Sequence, residues 1–281
     1  MELEPEDPRV PLRRVCWQGD ARREDVDEVV REEPLEIRIG GIPVAVVMRT
    51  PGHDEELVLG FLATEGVVEG PDAVRSVRHC TVVEDPEAEG NVVQATLRPG
   101  VEVDWARLRR NLYASSSCGL CGKASIDQLM LRCDPLVDDT RVEVERVYEL
   151  PTRLEAAQTV FARTGGLHAA GLFDADGQPL VVREDVGRHN AVDKVVGWAL
   201  ERGQLPLRGH VLMVSGRVSY EIAQKTVAAG IPVLAAVSAP SSLAVQLAAR
   251  AGVTLVAFLR GQRLSVYAGA ERIVASRAAG R

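Results

Sequence analysis

The chain has 281 residues, 46% of them hydrophobic, so it is long and apolar enough to fold around a substantial core. Its 33 basic and 40 acidic residues give a net charge of −7, which argues against nucleic-acid binding by general electrostatic attraction. No apolar run approaches the roughly 18 residues of a membrane helix, and the charged N-terminus is unlike a signal peptide, so we expect a cytoplasmic protein that binds no membrane.

The N-terminal half predicts an arm followed by a small domain. Residues 1–28 predict a disordered arm, because prolines lie in a dense run of mixed charges. Residues 29–112 predict a small α+β domain made of a hairpin turning at Gly40-Gly41, a helix and a second pair of strands. These elements are expected at Leu35–Arg49, His53–Gly66, Val74–Val83 and Asn91–Leu97.

A connecting segment, residues 113–151, leads to a domain of a different kind at residues 152–281. Short Val-, Ala- and Leu-rich runs alternate there with amphipathic stretches, which indicates an α/β fold with a parallel sheet covered on both faces. The predicted strands are Leu167–Phe173, Leu180–Arg183, Val211–Val214, Val233–Ser238 and Thr254–Leu259. The predicted helices are Leu154–Arg163, Arg188–Glu201, Tyr220–Ala229 and Ser242–Ala251.

The connecting segment holds a Cys-x-x-Cys motif within SSSCGLCGKAS, residues Ser115–Ser125. The glycines and serines allow the backbone to bend sharply, and a helix is predicted from Ala124 onward. Cys118 and Cys121 therefore lie at or before a helix N-terminus, where the helix dipole and Lys123 favour the thiolate form.

Four interpretations of this motif stay open. Half of a zinc site would need two further ligands, and the sequence has no second Cys-x-x-Cys and no His-x-x-x-His. A thioredoxin-like dithiol follows the first strand of a βαβ unit, whereas this motif follows a helix-like stretch. A nucleophile that carries sulfane sulfur fits a low-pKa thiolate in a flexible loop. The Gly/Ser setting disfavours a purely structural pair of cysteines.

Two polar segments accompany predicted strands of the second domain. His168 enters a strand from a Gly-rich turn, and a lone histidine in that position is more often a hydrogen-bonded core residue than a catalyst. Arg183–Lys194, which includes His189, lies at a strand-to-helix junction, the position of the ligand crevice in parallel α/β folds. A solvated loop with a helix cap is the other interpretation of that junction.

Two further segments follow strands and suit an anion. Ser215, Gly216 and Arg217 form a strand-to-helix turn, which presents backbone N–H groups, a positive helix end and a forked donor to a phosphate. The segment with two arginines after the last predicted parallel strand would cradle a phosphate or form a simple hairpin. It consists of Phe258, Leu259, Arg260, Gly261, Gln262 and Arg263.

Four of these motifs, in this order, resemble the formate dehydrogenase accessory sulfurtransferase family, usually called FdhD. They are SSCGLCGK, TGGLHAA, EDVGRHNAVDK and SGRVSYEI, the last followed by GIPV at residues 230–233. The resemblance covers most of the chain from about residue 33 onward. Four long motifs in order are far more specific than one Cys-x-x-Cys.

The resemblance implies a sulfurtransferase with defined partners. It would accept persulfide sulfur from a cysteine desulfurase and pass it to the molybdenum cofactor, before that cofactor enters the formate dehydrogenase catalytic subunit. Cys118 matches the persulfide-forming residue, with Cys121 as its companion. The segment Phe258–Arg263 matches the family's cofactor-binding loop. A homodimer is also implied.

The cofactor is expected as a bound substrate, Mo-bis(molybdopterin guanine dinucleotide), with no permanent cofactor and no metal site. Its guanine nucleotide part is a polyanion, so we expect phosphate and guanine contacts from the loop and from the other polar segments. Those further candidates are Ser215, Gly216, Arg217, His168 and His189. A zinc-binding scaffold and a non-catalytic cofactor-binding chaperone stay open as alternatives.

The C-terminal part of the family is similar to the cytidine deaminase fold, a three-layer α/β/α domain. A zinc deaminase needs His-x-Glu with a downstream Pro-Cys-x-x-Cys. Here Ala170 stands two residues after His168, and the Cys-x-x-Cys lies upstream. We therefore expect the fold without the hydrolytic chemistry.

Overall fold

The computed structural model describes residues 7–81, 86–105, 108 and 135–275. Its strands form four sheets, of two, six, two and four strands, within these residues. The helices of the same residues lie on and between the two larger sheets. The protein is therefore a mixed α/β fold.

Residues 9–30 form a β-hairpin, so the disordered arm predicted for residues 1–28 is wrong over most of its length. β1 (Arg9–Gln18) and β2 (Ala21–Val30) pair antiparallel along their whole length. The mixed charges that suggested disorder face each other across the strands, as in the 2.8 Å ion pair between Arg14 Nε and Asp25 Oδ1. Opposite charges on neighbouring strands support a sheet, which a charge count alone does not detect.

A four-stranded sheet follows, with the order β4-β3-β6-β5. It confirms the predicted hairpin at Gly40-Gly41, where both glycines have positive φ (57° and 87°), the geometry that a two-residue hairpin turn requires. The strands are β3 (Glu33–Ile39), β4 (Ile42–Arg49), β5 (Val74–His79) and β6 (Val92–Leu97). The predicted helix between the strand pairs is also confirmed, as α1 (Asp54–Thr64).

The six-stranded sheet has the order β13-β12-β11-β10-β8-β9. The predicted parallel pairing is confirmed for three neighbouring strands, β10 to β12, whereas the other pairs of this sheet are antiparallel, which corrects the expectation for the remaining strands. The outer pairs are joined by short turns, which permit only antiparallel pairing. The strands are β8 (His168–Phe173), β9 (Pro179–Asp185), β10 (Val211–Val214), β11 (Val233–Ala236), β12 (Thr254–Arg260) and β13 (Arg263–Ala268).

Three of the four predicted helices of this part are confirmed, and the first is wrong. In place of a helix at Leu154–Arg163, the structure has one long and one short helix with a break between them. The Glu184 carboxylate accepts the N–H groups of Val160 and Phe161, so a tertiary contact starts the short helix. The helices are α2 (Val144–Ala157), α3 (Phe161–Thr164), α4 (Arg188–Glu201), α5 (Tyr220–Ala228) and α6 (Ser242–Ala251).

Two short parallel strands, β7 (Val142–Glu143) and β14 (Ile273–Val274), complete the fold.

Helices cover both faces of the six-stranded sheet. One face packs against the buried Val147, Leu150 and Leu154 of α2. The other packs against α4, α5 and α6, and a continuous core extends from there through α1 to the four-stranded sheet. The predicted division into domains at residues 112 and 151 stays a prediction, although residues from both proposed domains share this core.

Helices α1 and α4 cross in direct backbone contact. Nine of the eleven residues of α1 are buried, so this helix lies inside the molecule rather than on its surface. A Cβ added at Gly60 would lie 1.8 Å from the Asp193 carbonyl oxygen, and one added at Gly197 would lie 1.8 Å from that of Glu56. Both glycines are therefore required for the helices to approach this closely.

We predict that Gly197→Ala lowers the free energy of unfolding by about 3 kcal/mol, because the added methyl group forces the helices apart. Chemical denaturation measures the effect. Gly70→Ala is the matched control, since Gly70 has an extended backbone and no atom lies within 4 Å of the added Cβ. The control is expected within about 0.5 kcal/mol of the unmodified protein. Equal stability of the Gly197→Ala and Gly70→Ala variants would contradict the close backbone contact between α1 and α4.

Candidate functional site

Polar side chains gather at one edge of the six-stranded sheet, where β10, β11 and β12 end. Because β8 runs antiparallel to β10, the first residue of β8, His168, lies beside the turn that follows β10. The turn after β9 reaches the same edge and begins α4. We name this cluster the strand-end site. Its residues are His168, Arg188, His189, Ser215, Gly216 and Arg217.

Ser215 holds the β8 and β10 ends together. Its Oγ accepts the Ala169 N–H at 2.9 Å, and its own N–H donates to the Ala169 carbonyl oxygen at 3.0 Å. The Ser215 N–H is thus engaged by the protein, which corrects the expectation that it points to a phosphate. Ser215 instead fixes the position of the neighbouring His168.

Gly216 opens onto the space between two side chains of the site. A Cβ at this position would lie 3.4 Å from His168 Nδ1 and 3.7 Å from Arg188 Cδ. These are ordinary contact distances, so a side chain there would fill this space without striking the backbone. Gly216 therefore leaves its main chain uncovered by a side chain of its own at this point.

Arg188 provides the clearest sign of a ligand. Its Nε is buried and has no hydrogen-bond partner within the part of the chain that the structure describes. Leaving a buried hydrogen-bond donor without an acceptor costs about 1–3 kcal/mol of folding free energy. An acceptor atom on a bound ligand would remove this cost. A phosphate or carboxylate oxygen is the acceptor that best suits a guanidinium group.

His168 is neutral at neutral pH. It is half-buried, and burial lowers the pKa of its imidazole below the usual value, with a further decrease from the positive charge of Arg188 nearby. Arg217 is exposed and contributes to the same decrease. The site therefore carries its positive charge on arginines and offers His168 as a neutral donor and acceptor.

His189 contacts the first turn of α5. Its Nε2 lies 2.8 Å from Glu221 Oε2 and 3.3 Å from Ser219 Oγ. The hydrogen bond from His189 lowers the pKa of the Glu221 carboxyl. This contact ties the start of α4 to the start of α5. The sequence interpretation did not single out Glu221, because a carboxylate in a first helical turn is usual and only the tertiary structure brings a histidine to it.

The predicted cofactor loop lies two strands along the sheet from Ser215. Phe258 has a positive φ of 51°, uncommon for a residue with a side chain, and the residue is 42% exposed. Its neighbour Leu259 is fully buried, so its side chain belongs to the core, and its predicted place in the cofactor-binding loop stays a prediction. The other four predicted residues are exposed at the β12–β13 turn: Arg260, Gly261, Gln262 and Arg263.

Cys118, Cys121 and Lys123 lie outside the described residues, so the predicted nucleophile stays a prediction. Cys16 and Cys80 are both free thiols. No cluster of three or more metal-ligating side chains is found between residues 7 and 275 where the structure describes the chain. In that same part, no helix is long and apolar enough to cross a membrane.

We predict that the His168 imidazole titrates below the usual histidine value of about 6.5. The unfolded chain keeps that usual value, so it binds the proton more readily, and the free energy of unfolding falls as the pH drops from about 6.5 through the lowered pKa. NMR titration of the histidine side chains measures this, with His168→Gln to assign the resonance. A pKa at or above 6.5 would contradict the buried, positively charged surroundings.

The fold and the strand-end site together define a mixed α/β protein in which arginine side chains and helix N-termini, both suited to an anion, lie at the ends of the parallel strands. The chain belongs to the FdhD/NarQ family, whose pattern matches residues 30–274. The resemblance predicted from the four motifs is confirmed.

Named relatives and a solved structure agree with this family. The sulfur carrier protein FdhD of Mycolicibacterium paratuberculosis is 56% identical over 250 residues, which cover 88% of this chain and 92% of that protein. The sulfur carrier protein FdhD of Streptomyces avermitilis is 56% identical over 257 residues, which cover 90% of this chain and 91% of that protein. The crystal structure of a proposed formate dehydrogenase accessory protein from Desulfotalea psychrophila has a TM-score of 0.75 at 25% identity and covers 95% of this chain and 99% of that chain.

Proposed function

We propose that this protein is a sulfur carrier for formate dehydrogenase. It accepts persulfide sulfur from a cysteine desulfurase on Cys118 and passes it to Mo-bis(molybdopterin guanine dinucleotide), its bound substrate, before that cofactor enters the enzyme's catalytic subunit. The observation that carries the binding part of this proposal is the buried, unsatisfied Arg188 Nε in the strand-end site.

The electrostatics of the strand-end site support a nucleotide with phosphate groups. Helices α4, α5 and α6 all begin at this edge of the sheet, and helix N-termini attract anions. Arg188 and Arg217 add positive charge on a chain whose net charge is −7. Arg260 and Arg263 lie two strands farther along, and the exposed Phe258 ring offers a surface on which a base can stack.

The sulfur transfer begins with the Cys118 thiolate attacking the terminal sulfur of the donor's persulfide. A bond forms between Cys118 Sγ and that sulfur, the donor's S–S bond breaks, and the donor leaves as a thiolate. Cys118 then carries the persulfide. The position of Cys118 before a predicted helix and close to Lys123 in the sequence favours the reactive thiolate form.

Cys121 has two possible roles in the second transfer. In one, its thiolate attacks Cys118 Sγ, a disulfide forms, and the terminal sulfur leaves as hydrosulfide toward the bound cofactor. In the other, Cys121 only assists direct transfer from the Cys118 persulfide. The first route leaves an oxidised Cys118–Cys121 pair after each turnover, which a cellular dithiol would have to reduce.

The comparisons favour a carrier over a hydrolase. Relatives at 56% identity are named sulfur carrier proteins, and the related crystal structure is described as a formate dehydrogenase accessory protein. We retain the similarity of the C-terminal part to the cytidine deaminase fold as a proposal. A deaminase reaction is not part of it, because Ala170 replaces the required glutamate.

We predict that Cys118 gains one sulfur atom on incubation with a cysteine desulfurase and cysteine. Intact-protein mass spectrometry under non-reducing conditions should detect this addition in the unmodified protein and in Cys121→Ala, and not in Cys118→Ala. Treatment with a reductant should remove it.

Other results would select the alternatives. Stoichiometric zinc that is lost in Cys118→Ala, with no added sulfur, would replace the carrier by a zinc-binding scaffold. Guanine nucleotide binding without any sulfane sulfur would indicate a non-catalytic chaperone.

We predict that Gly216→Val weakens GDP binding about tenfold, because the side chain fills the space between His168 and Arg188. Isothermal titration calorimetry measures the affinity, with Gly70→Val as the control for valine substitution at an open glycine.

Arg260→Ala and Arg263→Ala test the predicted cofactor loop in the same assay. Unchanged affinity in both arginine variants would remove the loop from the site, and unchanged affinity in Gly216→Val would remove Gly216.

A further inference from the structure

Asp185, the last residue of β9, is a fully buried carboxylate that accepts hydrogen bonds from several directions. One oxygen, Oδ1, accepts the Gly187 N–H at 2.8 Å and the Asn190 side-chain N–H at 2.9 Å. The other, Oδ2, accepts the Thr50 N–H at 3.2 Å and pairs with Lys194 Nζ at 2.7 Å. The carboxylate therefore connects the turn after β9, helix α4 and the loop after β4.

The loop after β4 holds the same turn by further bonds. Thr50 Oγ1 accepts the Val186 N–H at 3.2 Å, and the Thr50 carbonyl oxygen accepts from Lys194 Nζ at 2.9 Å. The Asn190 side chain also donates to the Met48 carbonyl oxygen at 2.8 Å. The residues between Asp185 and Asn190 are thus fixed from both sides, and Arg188 and His189 of the strand-end site lie among them.

We propose that Asp185 is a positioning residue for the strand-end site: with Lys194, Thr50 and Asn190 it fixes the turn that aims Arg188 at the ligand. This inference rests on the proposed function, because it takes the ligand to be the guanine nucleotide end of the substrate. Gly187 is consistent with it, since a Cβ there would lie 2.8 Å from Asn190 Nδ2 and 3.3 Å from Asp185 Oδ1.

An aspartate is required at this position, and an asparagine does not replace it. Both oxygens of Asp185 face donors. An amide has one acceptor and one donor end, so in either orientation its NH₂ group would face other N–H groups. The Asp185→Asn substitution therefore releases either the turn after β9 or the loop after β4. It also leaves the buried Lys194 without the carboxylate that it pairs with.

The chain contains a matched control on the same helix. Asp193 is buried, pairs with Lys225 Nζ at 2.8 Å and accepts the Thr64 hydroxyl at 2.8 Å. This second aspartate–lysine–threonine cluster joins α1, α4 and α5, and it makes none of the hydrogen bonds that fix residues 186–189. Loss of either aspartate breaks a buried ion pair, so both substitutions should destabilise the protein to a similar extent.

The test compares Asp185→Asn with Asp193→Asn in GDP titrations at a temperature where circular dichroism shows both variants folded. We expect both substitutions to lower the melting temperature. Only Asp185→Asn should weaken GDP binding, by about tenfold or more, whereas Asp193→Asn should bind within about twofold of the unmodified protein. Equal affinities in the two variants, whether reduced or unchanged, would overturn the positioning role.

A milder pair of substitutions covers the case in which Asp185→Asn does not fold. Thr50→Val removes the acceptor of the Val186 N–H, and Thr64→Val removes the hydroxyl of the control cluster. We expect weaker GDP binding in Thr50→Val alone. If the unmodified protein binds no GDP, the binding part of the proposed function fails. If the unmodified protein binds GDP, and folded Thr50→Val and Asp185→Asn bind it with the same affinity as the unmodified protein, only the positioning role fails.

Discussion

The close crossing of α1 and α4 is the constraint on which the rest of the structure depends. Gly60 and Gly197 bring the two backbones into contact, so the helix between the strand pairs of the four-stranded sheet packs directly against the helix that follows β9. One continuous core then joins the two larger sheets. Because α4 begins with Arg188 and His189, its placement in the core also sets the position of the strand-end site.

Buried charge pairs reinforce this crossing at both ends of the contact. Lys194 bonds to the carbonyl oxygen of Thr50, which precedes α1, and Lys225 bonds to the hydroxyl of Thr64, the last residue of α1. Burial disfavours the charged form of Lys225, but the carboxylates of Asp193 and Glu65 outweigh it and raise the pKa of Lys225. Such pairs add directional contacts to a core otherwise built mostly from aliphatic side chains.

The mixed sheet explains why the site forms at one edge. If β8 ran parallel to β10, His168 would lie at the opposite end of the sheet from Gly216. The antiparallel pairing of β8 with β10 places these residues side by side. The turn after β9 and the turn after β10 consequently meet, and both lead into helices whose positive ends face the same space.

The sequence by itself determined the family, the central helices and strands and the segments that hold the strand-end site, because motif order, hydrophobic periodicity and turn residues are local properties. Only the tertiary structure decided that β8 pairs antiparallel with both β9 and β10, that β13 pairs antiparallel with β12, that Ser215 bonds to Ala169, and that Glu221 meets His189. It also showed that residues 9–30 form a hairpin, in which Arg14 of one strand pairs with Asp25 and Asp27 of the other. These features depend on residues distant in sequence, and no local pattern encodes such pairings.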